Sequence, residues 1–169
     1  MKRRIIGVTG FKNSGKTTMV ERLVAAFTAR GLVVSTVKHA HHSFDIDHKG
    51  RDSYRHRKAG AREVAVVSRN QQALIRDTHG EPEVRLDDVL ARLLACDVVI
   101  VEGYKRDSHP KIEMVNVDLD QPLMAGEDPT VIAIASNGEI ADAPVPVFAR
   151  DEISGIVGLV AARLELPCR

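Results

Sequence analysis

Short aliphatic runs separated by polar segments recur along this chain and predict its β-strands. Two of them, residues 5–9 and 98–101, are almost wholly apolar. Strands of a parallel sheet are buried on both faces and therefore appear as continuous aliphatic runs. Further runs predict strands over residues 32–37, 63–68, 72–76, 112–117, 131–135 and 145–148. The runs 63–68 and 72–76 are close enough to form a β-hairpin, and Pro144 and Pro146 place the last strand near an edge.

Apolar residues at three- and four-residue spacing predict helices between these strands. One helix follows residue 17, and Gly31 is suited to cap its C-terminus. Another surrounds Leu90, a third begins near Ile153, and a short one is predicted at 53–61. Strands that alternate with helices predict an α/β fold: a mostly parallel sheet flanked by helices, with the hairpin added. We expect a single domain over residues 1–169.

The composition narrows the class of protein. The chain has 169 residues, of which 44% are hydrophobic, and it has 24 basic and 23 acidic side chains. This charge balance argues against a nucleic-acid partner, since such proteins usually have a basic excess. The apolar run after the basic N-terminus is too short for a signal peptide or a membrane span. Cys96 and Cys168 form no metal or redox motif. We therefore expect a soluble cytoplasmic protein without a membrane partner.

The residues that follow the first strand match the phosphate-loop pattern G-x-x-x-x-G-K-[ST]. The predicted nucleotide-binding residues of this segment are Gly10, Phe11, Lys12, Asn13, Ser14, Gly15, Lys16, Thr17 and Thr18. The glycines let the backbone N–H groups turn inward and form an anion site at a helix N-terminus. Lys16 places a charge on the β- and γ-phosphates, and the Thr17 hydroxyl supplies a Mg²⁺ ligand. The position between a strand and a helix supports a P-loop NTPase-like fold that binds a nucleoside triphosphate with Mg²⁺.

A carboxylate at the end of another strand usually completes such a magnesium site. Asp97 and Glu102 bracket the apolar run 98–101 and lie roughly 17 Å apart if the run is extended. Ligands of open α/β sheets bind beyond the carboxyl ends of the strands. This rule selects Glu102 as the second metal-binding residue and leaves Asp97 as a turn or helix-end residue.

The polar segment 38–62 is long for a plain connection and leaves from the same edge of the sheet. Asp45 and Asp47 are candidate catalytic residues that orient the attacking water, with Lys16 as the third catalytic candidate. Five of the seven histidines lie between positions 39 and 56. This clustering leaves a zinc or nickel site open as an alternative. After the predicted strand 131–135, Asn137 is a candidate base contact, although Asn-Gly pairs also form ordinary turns.

Beyond the phosphate loop, several segments resemble the MobB family of molybdopterin-guanine dinucleotide biosynthesis adapter proteins. The resemblance covers nearly the whole chain and rests on residues 10–18, 38–42, 44–47, 52–54, 57–61 and 101–105. The segments Lys-His-Ala-His-His (38–42) and Phe-Asp-Ile-Asp (44–47) are more specific to the family than the phosphate loop. One departure is Lys49, where the family pattern has a proline before the glycine.

The resemblance implies a GTP-binding protein with at most slow GTP hydrolysis that assists the molybdenum cofactor guanylyltransferase. It also implies a homodimer, to which the hairpin contributes, and it makes molybdopterin a further candidate ligand. Two other functions remain open from the residues themselves. An ATP-dependent small-molecule kinase or ligase on the same scaffold would need an acceptor pocket near Lys38 and Arg51. A metallochaperone GTPase would use the cluster between His39 and His48.

Overall fold

The computed structural model describes residues 3–40, 47–78, 80–119 and 121–167. In chain order the strands are β1 (Ile5–Gly10), β2 (Val34–Lys38), β3 (Glu63–Val67), β4 (Gln72–Arg76), β5 (Val98–Glu102), β6 (Lys111–Val115), β7 (Val131–Ser136) and β8 (Val147–Ala149). The helices are α1 (Lys16–Ala29), α2 (Asp52–Lys58), α3 (Leu86–Arg92) and α4 (Ile153–Leu164). Two compact units result, one from Met1–His39 with Leu86–Arg169 and one from Ala40–Arg85. The single domain over the whole chain stays a prediction.

The larger unit contains a six-stranded sheet in the order β2-β5-β1-β6-β7-β8, in which all neighbouring strands are parallel. This confirms the predicted α/β fold with a mostly parallel sheet. The apolar run 98–101 lies in β5 between β2 and β1, as its lack of alternation indicates. The β8 strand is at the edge and starts after Pro146, which has no N–H to donate to a neighbouring strand.

Helices cover both faces of this sheet, and β5 contributes side chains to the core on each face. Val98 and Ile100 join the core formed with α1 and α4, whereas Val99 and Val101 pack with Leu86 and Leu90 of α3. Successive side chains of a strand point to opposite faces, so all four positions have to be apolar. Burying each such side chain stabilises the fold by about 1.5–3 kcal/mol.

Helix α1 ends at Ala29, and a glycine caps its C-terminus, as predicted. Gly31 has a φ of 75°, and its N–H donates to the Thr28 carbonyl. The Leu32 N–H donates to the Phe27 carbonyl, so Leu32 belongs to the cap and β2 begins two residues later than its apolar pattern indicates. This left-handed cap favours glycine because a Cβ is disfavoured at positive φ.

The smaller unit contains α2 and the antiparallel hairpin β3–β4, which confirms the predicted hairpin. Its turn is closed by Ser68, whose hydroxyl accepts hydrogen bonds from the N–H groups of Asn70 and Gln71. Val64 is buried, but Val67 and Leu74 expose 74% and 63% of their surface. The hairpin therefore presents apolar side chains to solvent.

The parallel sheet brings the carboxyl ends of its strands to one edge. Gly10, Lys38, Glu102 and Ser136 are the last residues of β1, β2, β5 and β7. Register pairs Lys38 with Glu102 and Val8 with Glu102, so β2 and β5 end side by side, two residues before β1 ends at Gly10. In the part of the chain that the structure describes, no helix is long and apolar enough to span a membrane.

Candidate nucleotide-binding site

The phosphate loop connects β1 to α1 through three residues with positive φ. These angles are 136° at Gly10, 64° at Asn13 and 94° at Gly15. A Cβ at Gly10 would lie only 2.5 Å from the Met114 carbonyl oxygen. Gly15 is the N-cap residue of α1 and has no side chain to cap the helix N-terminus. The loop therefore leaves first-turn N–H groups available to an anion, as phosphate sites require.

The Lys16 side chain folds back over this loop. Its ammonium donates a hydrogen bond of 2.6 Å to the carbonyl of Phe11. Burial lowers the pKa of Lys16 from its usual value, Lys105 and Lys38 lower it further, and Glu102 opposes them. Lys105 also lies over the Phe11 ring, with its Nζ 5.0 Å from the centroid. Three ammonium groups thus surround one small loop, which suits a ligand with several negative charges.

Glu102 lies against the start of α1. The Thr17 hydroxyl donates to its carboxylate at 3.3 and 3.4 Å, and Lys38 forms an ion pair with it at 3.4 Å. Hydroxyl and carboxylate oxygens are the ligands that Mg²⁺ prefers, and Mg²⁺ typically keeps several waters beside one or two protein ligands. The pair Thr17 and Glu102 therefore fits the predicted metal site. Asp97, at the other end of β5, accepts a hydrogen bond from the Val33 N–H, as a turn residue would.

The backbone turns sharply after Glu102. Gly103 has a φ of 99°, and a Cβ there would lie 2.7 Å from the His39 Cβ. Tyr104 has a φ of 46° and stacks on His39 with ring centroids 4.5 Å apart. This turn carries Lys105 to Phe11 of the phosphate loop. The close approach of two strand-end segments explains why glycine follows the metal-binding candidate.

A pocket of about 690 Å³ adjoins the phosphate loop. It is lined by Gly15, Thr18, Met19, Arg22, Met114, Ser136, Asn137, Gly138, Glu139, Val147, Phe148, Ala149, Arg150 and Asp151. The lining residues at the start of α1 are Gly15, Thr18, Met19 and Arg22. Steps of three and four residues connect them, so they lie on one side of the helix, starting at the loop. Most of the wall is apolar, with a few polar groups at the carboxyl ends of β7 and β8. This is the usual composition of a small-molecule pocket.

Asn137 lines this pocket, but its amide already makes three hydrogen bonds. Its oxygen accepts from the Val117 N–H at 2.9 Å, and its nitrogen donates to Asn116 and Asp118 at 2.9 Å each. The side chain joins the segments that follow β6 and β7. Its predicted contact with a base stays a prediction, and the geometry supports a role in shaping the pocket.

Asp47 belongs to the smaller unit, where it is 4% exposed. Ser53 donates a hydrogen bond of 2.6 Å to it, and Arg57 forms an ion pair with it at 3.4 Å. Arg57 also binds Asp77 at 3.1 Å, so this cluster ties α2 to its surroundings. Asp45 lies outside the described residues. The assignment of both aspartates to a catalytic role stays a prediction.

The histidine cluster is only partly described. His41 and His42 lie outside the described residues, and His39 stacks on Tyr104. Over residues 3–40, 47–78, 80–119 and 121–167, the structure contains no group of three or more His, Cys, Asp or Glu that could hold a metal ion. The metallochaperone hypothesis therefore stays a prediction.

Comparison with known families identifies the chain. The family model "MobB: Molybdopterin guanine dinucleotide synthesis protein B" matches residues 5–137, which include the phosphate loop, Glu102 and Asn137. The chain belongs to the MobB family. This confirms the resemblance drawn from the residues.

Curated MobB relatives support the assignment. The molybdopterin-guanine dinucleotide biosynthesis adapter protein of Haemophilus influenzae is 35% identical over 136 residues, covering 79% of this chain and 74% of the relative. The adapter protein of Escherichia coli is also 35% identical over 136 residues, with 79% and 78% of the two chains covered.

Solved MobB structures share the fold. The MobB homologue of Bacillus stearothermophilus superposes with a TM-score of 0.70 at 28% identity, covering 96% of this chain and 98% of that one. Bacillus subtilis MobB gives a TM-score of 0.73 at 28% identity, covering 95% and 98%. The P-loop NTPase-like fold is therefore confirmed.

Several residues that surround the phosphate loop and its pocket were not predicted from the sequence. Lys105 lies in the family segment 101–105, yet nothing in that pattern assigned its side chain to the loop. Phe148, Arg150 and Asp151 belong to no motif and enter the pocket only because β8 lies next to β7. The rule that ligands lie beyond the carboxyl ends of strands, applied to the predicted strand 145–148, could have indicated them.

Proposed function

We propose that this protein is a GTP-binding adapter in molybdopterin guanine dinucleotide biosynthesis that assists the molybdenum cofactor guanylyltransferase. The adapter role rests on membership of the MobB family and on two relatives that carry the name adapter protein. The observation that carries nucleotide binding is the phosphate loop, whose backbone angles and uncapped helix N-terminus form an anion site beside Lys16.

Positive charges at the phosphate loop support binding of a triphosphate. When a triphosphate binds, Lys16 exchanges its hydrogen bond with Phe11 for one with a phosphate oxygen. The anion also relieves the repulsion among Lys16, Lys38 and Lys105 that lowers the pKa of Lys16. Thr17 and Glu102 would hold Mg²⁺, which neutralises the charge of the phosphates when bound. GTP with Mg²⁺ is the proposed ligand set.

Slow hydrolysis is implied by the MobB resemblance and agrees with the described groups around Lys16. Among the described residues, the side chains that act on the Lys16 charge are Lys105, Glu102 and Lys38, and none of these is an arginine or a glutamine. Fast phosphoryl-transfer enzymes usually place an arginine on the transferring phosphate and a glutamine or acid on the attacking water. We therefore propose that the protein is at most a slow GTPase. Its role would be to present a GTP-bound or GTP-free state to the partner rather than to turn over GTP.

Pairing of two copies is part of the same proposal. The hairpin β3–β4 exposes Val66, Val67 and Leu74, which are large apolar residues on a two-stranded element. Such a hairpin is marginally stable alone, and an exposed apolar strand favours pairing with another chain. A homodimer would cover these side chains.

The first experiment replaces Lys16 with Ala and measures GTP binding by calorimetry. The loss of one ammonium that binds phosphate should weaken GTP by at least about 100-fold, since charge-assisted bonds contribute about 1.5–3 kcal/mol each and Lys16 faces two phosphates. The matched control is Lys58→Ala, which removes an exposed lysine that lies over Tyr54 in the smaller unit. Equal GTP affinity in the wild type and Lys16→Ala contradicts the phosphate-loop assignment.

The second experiment tests the adapter role with the same variants. The wild-type protein should co-purify with the guanylyltransferase, and the yield should differ between GTP and no nucleotide. Lys16→Ala should lose that dependence on GTP, whereas Lys58→Ala should keep it. Absence of association in both conditions removes the adapter role, even if GTP binds.

A further inference from the structure

Two carboxylates without a side-chain partner lie in the pocket beside the phosphate loop. Asp151 and Glu139 line the pocket, and neither side chain makes a hydrogen bond or an ion pair among the residues that the structure describes. Both residues are exposed. A carboxylate can only accept hydrogen bonds at neutral pH, so each is suited to a ligand that donates.

The backbone around Asp151 is fixed from several sides. The Arg150 N–H donates to the Ser136 carbonyl at 3.1 Å, and Arg22 of α1 donates to the Arg150 carbonyl at 2.8 Å. The Asp151 carbonyl accepts from the Ile153 N–H at 2.8 Å. Because Arg22 belongs to the helix that begins at the phosphate loop, Asp151 is held at a set distance from that loop. Glu139 has a longer side chain, and its backbone makes none of these bonds.

Arg150, the residue before Asp151, is also held by its side chain. It donates through one terminal nitrogen to the Val115 carbonyl at 2.6 Å, which anchors this segment to the last residue of β6. Asp151 is therefore held at the carboxyl edge of the sheet, where the pocket lies.

Purine bases differ in the groups that they offer to a carboxylate acceptor. Guanine presents an N1–H and an exocyclic amino group, which donate, beside the O6 acceptor. Adenine presents the opposite pattern at the same edge, an N1 acceptor beside an amino donor. Xanthine resembles guanine but has a carbonyl in place of the exocyclic amino group. Sites built around such hydrogen bonds reject a mismatched ligand strongly, because a buried polar group is then left unpaired.

We propose that Asp151 is the residue that selects guanine, with its carboxylate accepting from the guanine N1–H and amino group. This assignment rests on the proposed function, since it concerns the base of the same nucleotide. Apolar walls from Met19, Met114 and Phe148 cover the faces of the ring. The triphosphate then lies at the loop end of α1 and the base lies along the helix toward Arg22.

The test asks whether one substitution changes the preference of the protein from GTP to xanthosine triphosphate in the presence of Mg²⁺. Calorimetry measures GTP, ATP and xanthosine triphosphate on the wild type and on Asp151→Asn. The wild type should prefer GTP, and the variant should bind GTP about 10- to 100-fold more weakly, the expected effect of removing a charged acceptor. It should bind xanthosine triphosphate about 10-fold more tightly than the wild type does, because the new amide donates to the xanthine carbonyl.

Two further variants decide the outcome. Glu152→Gln makes the same charge change one residue along the chain, outside the pocket lining, and should leave all three affinities unchanged. The assignment to Asp151 is overturned if Glu139→Gln produces the exchange of specificity instead. It is also overturned if Asp151→Asn leaves all three affinities unchanged while the wild type binds GTP. Either result leaves the proposed function standing. A wild type that binds no triphosphate overturns the proposed function with it.

Discussion

The phosphate loop and the adjoining pocket share helix α1, but they are encoded along the chain in opposite ways. The loop is one continuous segment, residues 10–17, and its shape depends on backbone angles at Gly10, Asn13 and Gly15. The pocket collects side chains from α1 and from the ends of β6, β7 and β8. One region is local in sequence, and the other exists only after the sheet has formed.

This difference determines what a substitution can do in each region. In the proposed nucleotide complex, main-chain N–H groups of the loop would bind phosphate, so side-chain changes there matter mainly where they alter the backbone or remove the Lys16 charge. In the pocket, the side chains themselves would face the ligand. Changes in the loop should therefore affect every nucleotide, and changes in the pocket should separate one base from another.

The largest effect is expected from Gly10→Ala. The new Cβ would meet the Met114 carbonyl at 2.5 Å and the Ser14 hydroxyl at 2.7 Å, at a φ of 136°. Neither the Met114 backbone nor the loop can move without disturbing the sheet, so binding of GTP, GDP and ATP should all be lost. Thermal unfolding should show a loss of stability of about 1–3 kcal/mol or more from the strained backbone.

Gly158→Ala is the matched control for Gly10→Ala. Gly158 lies within α4, and a Cβ there would have no heavy atom within 4 Å. Alanine is favoured over glycine in a helix, so stability should rise by about 0.5–1 kcal/mol with nucleotide affinity unchanged. Nucleotide binding that survives in Gly10→Ala would show that the loop does not require its observed backbone.

The same contrast explains how much could be predicted from sequence. The order of strands and helices followed from apolar periodicity, and the capping role of Gly31 followed from its position. Glu102 was placed at the correct end of β5, because the carboxyl-edge rule needs only the direction of a strand. These features depend on residues close together in the chain.

The rest depends on contacts that no local pattern contains. Nothing near Asp151 indicates that β8 lies beside β7, or that Arg22 binds the Arg150 carbonyl. Asn137 was selected from its position after a strand, but its three hydrogen bonds with the segment after β6 could not be anticipated. Side-chain partners are fixed by tertiary packing, which the sequence alone does not display.

A smaller effect, limited to Mg²⁺ binding and the hydrolysis that depends on it, is expected from Glu102→Gln. The variant keeps the shape of the side chain and its contact with Thr17 but removes the charge beside Lys38. Apparent Mg²⁺ affinity and any GTP hydrolysis should fall by about 10- to 100-fold, the range seen when groups around a metal are changed. GTP binding measured without Mg²⁺ should be equal or tighter, because a negative charge near the phosphates is lost.

The Mg²⁺-free measurement separates a metal role for Glu102 from a structural one. A carboxylate that only holds Lys38 and Thr17 in place would weaken GTP binding in both conditions when it is changed. Glu127→Gln, an exposed acid in the segment before β7, is the control and should change neither value. Equal Mg²⁺ titrations for the wild type and Glu102→Gln would remove Glu102 from the metal site.

The smallest effect on binding is expected from a group at the opposite edge of the sheet, His109. It precedes β6, is 8% exposed and packs against Gly7, where a Cβ would lie 2.6 Å from its Nε2. Burial, with a smaller contribution from Lys111, lowers the pKa of His109 to about 4 against the opposing effect of Asp107 and Asp128. The ring is therefore neutral at pH 7 in the folded protein.

This shift has a defined sign for stability. Between about pH 6.5 and pH 4 the unfolded chain binds a proton at His109 that the folded chain does not, so stability falls as the pH falls through this window. The full difference is about 3–4 kcal/mol, since the pKa falls from 6.5 to about 4 and each pKa unit corresponds to roughly 1.4 kcal/mol. In His109→Gln, the free energy of unfolding measured in urea should fall less between pH 7.5 and pH 4.5 than it does in the wild type. GTP affinity at pH 7.5 should be unchanged, because the loop and the pocket lie at the carboxyl edge. Parallel pH profiles for the two proteins would contradict the buried neutral histidine, and a change in GTP affinity would show that the two edges of the sheet are coupled.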